Sequence, residues 1–201
     1  FGVPRERLEA VGYPVQQAFL RAPPKDAARR ALELPERFTV LVSLGGEGLG
    51  GGALALSGAL AAALPDGQVV VMCGRNAALR RALAARRLPN LRAEGFSTRM
   101  AEFLAASDVV VGKAGPASVY EALAVGRPVL VTSYAGLNER GVLRFVTEAG
   151  LGEYAPRPSA LLAAIARYRD PAALAAVAER AAGLELAAQT ERLAERVGRF
   201  A

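Results

Sequence analysis

The 201-residue sequence predicts an α/β fold: a doubly wound parallel sheet of about six strands, with helices on both faces and a helical C-terminal tail. Three observations lead there. Short runs rich in valine are apolar almost throughout, the pattern of strands buried on both faces. Stretches with apolar residues every three or four positions separate them, the spacing of one helix face. The runs end in glycine or small polar residues, where a chain leaves a sheet to turn into a helix.

The elements follow in order. Residues 1–37 hold five prolines and little periodicity, and read as a strand-poor lead-in or linker. "FTVLVSL" (38–44) is the first strand, and Leu56, Leu60 and Leu64 mark the helix behind it. "QVVVMCG" (68–74) is the second strand and "LRAEGF" (91–96) a weaker third. Met100, Phe103 and Leu104 form a helical stripe before "DVVVG" (108–112), as do Val119, Ala122 and Leu123 before "PVLVTS" (128–133). Val142, Val146 and Ala149 mark a further helix closed by Gly150. "GEYA" (152–155) is a weaker sixth strand. From residue 158 the chain reads as helix, broken at Asp170-Pro171, with a last stripe of Leu193, Val197 and Phe200. The expected division is a lead-in and hinge region over 1–37, a ligand-binding α/β domain over 38–157, and helices over 158–201.

Composition narrows the chemistry. Apolar residues make up 52% and the chain is long enough to bury a core. Its longest apolar run, 53–64, is too short to span a bilayer. One cysteine excludes an internal disulfide. There is no histidine, and aspartate occurs only at 26, 66, 108 and 170. Those facts argue against a zinc site, a Ser-His-Asp triad or an Asp-x-Asp metal clamp, so no metal is expected. The net charge of +6 is mostly arginine, since Lys25 and Lys113 are the only lysines. Such a surface suits nucleic acid, anionic lipid or phosphorylated ligands, or is a set of solvated helix faces. The aromatic residues are scattered with no basic-aromatic face, so nucleic acid is not expected. The chain begins at Phe1 rather than Met, which suits a piece of a longer protein.

Parallel sheets of this kind bind ligands beyond the carboxyl ends of their strands. Five loops sit there. "SLGGEGLGGG" (43–52) contains G-x-G-x-x-G at Gly46, Gly48 and Gly51, which lets backbone N–H groups approach a phosphate, or is a flexible turn. Glu47 inside it opposes a pyrophosphate, and no acid follows the second strand for an NAD ribose. "CGRN" (73–76) offers Arg75 to a phosphate or a base, or to solvent. "GFSTRM" (95–100) offers Phe96 to a flat base, or to the core, with Ser97 and Thr98 as helix caps.

The fourth loop, "KAGPASVYE" (113–121), carries most. Pro116 suits a first helical turn, leaving the N–H groups of Ala117 and Ser118 at the positive end of the helix dipole. Lys113 adds a full charge. Glu121 could accept both hydroxyls of a ribose; equally, Ser118-x-x-Glu121 has the spacing of a capping box, with both side chains spent on backbone. In the fifth, "SYAGLNERG" (133–141), Asn138 and Glu139 suit sugar hydroxyls or a helix cap.

Taken in series, "VGYPVQQAF" (11–19), "CGRN", "GF-x-x-x-M-AEFLAASDVVV" and "KAGPASVYEALAVGRPVLV" resemble the C-terminal, donor-binding domain of one glycosyltransferase family. That family joins monogalactosyldiacylglycerol synthases and processive diacylglycerol glycosyltransferases with the lipid II N-acetylglucosaminyltransferase. The resemblance runs to about residue 155 and fits the lipid-sugar branch best. It implies the Rossmann-like half of a GT-B fold that binds a UDP-sugar as donor substrate, without a cofactor or metal, in an inverting transfer. By motif match, the backbone around Phe96 and Ser97 meets uracil and Glu121 the ribose. Gly115, Pro116 and the N–H groups of Ala117 and Ser118 after them, with the loop of Gly45, Gly46, Glu47 and Gly48, hold the diphosphate; Met100, Lys113 and Ala114 are further candidate contacts of the nucleotide-sugar. Arg75 stands nearby, and Asn138 and Glu139 read the sugar. Two departures are that Asn138 replaces the family's usual Gln, and that Val142 and Leu143 stand where an Asn is common. The catalytic base, a lipid acceptor such as diacylglycerol and the membrane contact are expected from an N-terminal half. The full-length protein is expected in the cytoplasm, peripheral to the inner face of the cell membrane. A UDP-sugar epimerase half and a non-catalytic nucleotide-binding module are the alternatives.

Overall fold

The structure, a computed structural model, describes residues 2–43 and 50–198. Six strands form one sheet: β1 Thr39–Ser43, β2 Gln68–Met72, β3 Leu91–Glu94, β4 Val109–Lys113, β5 Val129–Ser133 and β6 Gly152–Tyr154. Their order is β3-β2-β1-β4-β5-β6, and every pairing is parallel. The order reverses between β1 and β4, so the crevice that such sheets use for ligands opens beyond Ser43 and Lys113.

Alternation along the strands sorts the core into two layers. Leu41 aligns with Val70 and Val110, and Val110 with Val129. That row buries against helices α1 (Gln17–Leu20), α2 (Lys25–Ala31), α5 (Met100–Ala106), α6 (Pro116–Ala124) and α7 (Gly136–Glu148) through Phe19, Ala28, Phe103, Leu104, Val119, Leu123 and Val146. Val42, Val71, Val111 and Leu130 point the other way, onto α3 (Gly50–Ala63), α4 (Ala77–Ala85), α8 (Pro158–Arg167) and α9 (Pro171–Ala182). Runs of valine without polar interruption are what a strand buried on both faces requires.

Two parts depart from the sequence reading. Residues 13–37 contain no strand, yet they bury Val15, Phe19, Ala28, Leu32 and Leu34. Helices of four and seven residues are too short to print a periodic stripe, so the segment looked featureless. At the other end, the helices over 158–201 were expected to pack on the sheet domain and towards an N-terminal half, and α10 (Leu186–Gly198) leaves Val197 of its apolar stripe 59% exposed; Phe200 lies outside the described residues. Instead α10 straps down the N-terminal segment. Gln189 Oε1 accepts the Tyr13 N–H at 3.1 Å and Thr190 Oγ1 the Val15 N–H at 3.1 Å. Gly12 bends the strap at φ +91°, and a Cβ there would meet Gln189 Oε1 at 2.1 Å. The expected break does form: Asp170 caps α9 by accepting the Ala172 N–H at 2.9 Å, with Pro171 in the first turn.

The amino ends of the strands are pinned by one carboxylate. Asp108, 4% exposed, accepts the Thr39 N–H at 2.7 Å and Arg29 Nη2 at 3.0 Å, and pairs with Lys25. Arg29 also donates to the carbonyls of Ala106 and Arg37. The β5–β6 edge depends on a close approach. A Cβ on Gly152 would sit 2.0 Å from the Val129 carbonyl oxygen. Gly152→Ala is therefore expected to lower stability by at least the ~1–3 kcal/mol of an overpacked core and to unpair β6 first, read by urea denaturation and amide exchange.

Candidate functional site

The cleft forms where the reading of the loops places it, beyond the carboxyl ends of β1, β2 and β3. Its cavity of about 180 Å3 is lined by Ser43, Met72, Gly74, Gly95, Phe96, Ser97, Met100, Ser118 and Glu121. Of the expected site residues, Phe96, Ser97, Met100, Ser118 and Glu121 converge here. Ser43 and Met72, the last residues of β1 and β2, and the two glycines were not expected as lining. Their position at strand ends, the rule that directed attention to these loops, is the signal that would have found them.

Phe96 follows β3 and is 68% exposed, a cost a core residue would not bear. The Arg75 guanidinium lies over its ring, 5.6 Å from the centroid, within cation–π range. Ser97 turns its hydroxyl to the Arg99 N–H at 3.1 Å, but the N-cap of α5 is Arg99 and no side chain caps the helix, so Ser97 and Thr98 are not the helix caps the sequence suggested.

The capping-box alternative does not form. The N-cap of α6 is Gly115, not Ser118, so Ser118 and Glu121 lie inside the helix and neither caps it. Pro116 occupies the first turn and leaves the amides of Ala117 and Ser118 as helix-end donors. Glu121 is half-buried beside the cavity, and burial pushes its carboxyl above the ordinary range. Lys113 folds back over the same helix start: a Cβ on Gly115 would meet its Nζ at 3.2 Å. Ala114 is fully buried beneath.

Across the crevice, Lys113 pairs with Glu139 at the start of α7. Glu139 is only 6% exposed, and its second oxygen accepts the Ala135 N–H at 2.6 Å. The hydrogen bond from Lys113 holds its carboxyl below the ordinary range, against the opposing effect of burial. Asn138, next to it, is exposed. Thus Glu139 first serves to hold Lys113, and Asn138 is the free polar side chain of the pair. Gly45, Gly46, Glu47 and Gly48 lie outside the described residues.

A larger cavity, about 260 Å3, opens between α3, β5 and α8. Its lining is apolar apart from Thr132 and Arg157 and contains none of the expected site residues. Among the described residues no group of three or more His, Cys, Asp or Glu could hold a metal ion. Among the same residues no helix is long and apolar enough to cross a membrane.

Comparison with known proteins bears on this geometry. Residues 52–141 match the family model of the glycosyltransferase family 28 C-terminal domain. The chloroplastic monogalactosyldiacylglycerol synthase of Spinacia oleracea is 33% identical over 182 residues, covering 86% of this chain and 35% of that one. The chain therefore spans about a third of the length of the curated relatives it matches. Among solved structures, the glycotransferase of kitacinnamycin is 27% identical with a TM-score of 0.64, over 81% of this chain and 43% of that one. The UDP-GlcNAc 2-epimerase of Neisseria meningitidis, bound to UDP-GlcNAc, reaches a TM-score of 0.65 at 14% identity, over 87% and 48%. The fold alone thus does not separate transfer from epimerisation.

Proposed function

We propose, from the match of residues 52–141 to the glycosyltransferase family 28 C-terminal domain and the likeness to monogalactosyldiacylglycerol synthases, that this chain is the donor-binding half of an inverting enzyme that moves a hexose from a UDP-sugar to a lipid such as diacylglycerol. The observation that carries the proposal is α6. Its cap is Gly115, so Ser118 and Glu121 are released to face a cleft shared with Phe96.

The ligand groups fall in a row along the strand ends. Uracil lies against Phe96, Ser97 and Met100, with Arg75 behind the ring. The ribose diol donates to Glu121. The diphosphate meets the amides of Ala117 and Ser118 and the ammonium of Lys113, with Pro116 fixing the turn. The hexose reaches Asn138 and the start of α7. From β3 to β5 is four strand spacings, ~19 Å, room for such a row.

In the reaction the acceptor hydroxyl attacks the anomeric carbon, its proton passes to a base outside this chain, and the C–O bond to the diphosphate breaks with inversion. The leaving UDP gains negative charge, and the amides at the start of α6, with the Lys113 ammonium that Glu139 holds beside them, offset it, which lowers the barrier without a cofactor. The chain lacks histidine, and none of its residues is assigned as the base. Acceptor, base and a peripheral contact with the inner face of the cell membrane belong to the remainder of the protein.

Calorimetric titration of the chain with UDP, UDP-glucose, UDP-galactose, UDP-N-acetylglucosamine, ADP and NAD tests this. Saturable binding confined to the uridine ligands is expected. Binding of NAD without UDP would overturn the assignment.

A further inference from the structure

Three aromatic rings join parts of the chain that the cleft alone does not connect. Tyr13, on the N-terminal strap, lies flat on Tyr120 with centroids 4.4 Å apart and planes 7° from parallel. Tyr120 continues onto Phe145, at 5.7 Å and 19°. Tyr120 sits on α6 directly before Glu121, and Phe145 sits on α7 beyond Glu139 towards the carboxyl end of the helix. Each ligand-bearing helix therefore contributes one ring, and the strap contributes the third.

The strap itself is fixed. Its Tyr13 and Val15 amides are bonded to Gln189 and Thr190 of α10, and Glu9 pairs with Arg196 one to two turns further along. Gln189 is anchored in turn by its Nε2, which donates to the Leu184 carbonyl at 2.7 Å. Gly12 passes so close to Gln189 that a side chain there would clash with its amide. Aromatic pairs favour a few ring placements over others, so the stack favours one relative position of the two segments. A shift of the strap therefore reaches α6 through Tyr120, and α7 through Phe145.

We propose that the Tyr13–Tyr120–Phe145 column is a positioning device, with Tyr120 the residue that holds Ser118 and Glu121 in register with Asn138 and Glu139, and Tyr13 the lever by which the chain upstream of the strap sets that register. The link to affinity rests on the nucleotide reading above; the mechanical link does not. Its consequence is that movement of residues 2–8 changes how well the cleft is formed, although none of those described residues lines it.

The test is amide hydrogen exchange on the 201-residue chain, comparing Tyr13→Leu and Tyr13→Phe with the parent. Leucine keeps bulk but not the stack. About ten-fold faster exchange is expected in α6 and α7, with α3 and α8 on the opposite face unchanged, and the phenylalanine variant restoring the parent rates. Acceleration confined to residues 9–20, or spread evenly over both faces, would overturn the proposal. Tyr120→Leu should loosen α7 as well as α6; a response in α6 alone would also count against it. UDP titration forms the second arm. If the parent binds, Tyr13→Leu should bind roughly ten-fold more weakly, and equal affinity would break the link between strap and ligand. If the parent does not bind, the nucleotide reading falls and the exchange result decides the column by itself.

Discussion

Replacing Glu121 by glutamine should weaken UDP binding about thirty-fold while making the protein more stable at neutral pH. The binding loss is that of charge-assisted hydrogen bonds from a ribose diol, about 2 kcal/mol when the acceptor loses its charge. The stability gain has a different origin. Burial raises the Glu121 carboxyl above the ordinary range, so the folded state holds its proton more tightly than the unfolded chain does. Such a group favours folding fully below its unfolded pKa, and that contribution is lost as pH rises through the higher folded value. Above the ordinary carboxylate range burial of this carboxyl costs folding free energy, and glutamine removes that cost. Titration calorimetry and thermal melts on the same two proteins check both halves. A variant that binds UDP as the parent does would return Glu121 to a scaffold role. Affinity in the parent should also rise with pH across the interval from the ordinary carboxylate range to the raised one, and that rise should vanish in Glu121→Gln.

The second large effect is expected at the opposite end of the sheet. Asp108→Ala should cost about 3–5 kcal/mol, because it leaves Arg29 buried without its counter-charge and removes the acceptor of the Thr39 amide. Urea denaturation measures the loss directly. Asp108→Asn should recover part of it, since an amide oxygen can still accept from Thr39. A loss under about 1 kcal/mol in the alanine variant, the level of an exposed pair, would show that water takes over the role.

How much of this was legible in the sequence depended on how local the cause was. The valine runs gave the strands because burial on both faces writes itself into consecutive residues. Pro116 and Gly115 gave the helix start, but the spacing of Ser118 and Glu121 fitted a capping box equally well. Only the position of the cap, three residues earlier, separates the two. Phe96 was as consistent with a core ring as with an exposed one, since exposure is set by the cleft around it. The ion pair of Lys113 with Glu139 spans 26 residues, and that of Arg29 with Asp108 spans 79. No local pattern marks either. The short helices α1 and α2 were missed for a related reason: each buries too few side chains to repeat.

The pinned carboxylate at the amino ends and the open cleft at the carboxyl ends divide the labour of the sheet along its strands. Substitutions in the cleft loops exchange contacts with a ligand and leave Asp108, Arg29 and Thr39 untouched. A lineage carrying this domain can thus drift in what it accepts, one loop at a time, without passing through variants that fail to fold. The loops around the cleft are the part most free to diverge, and the floor beneath them the least.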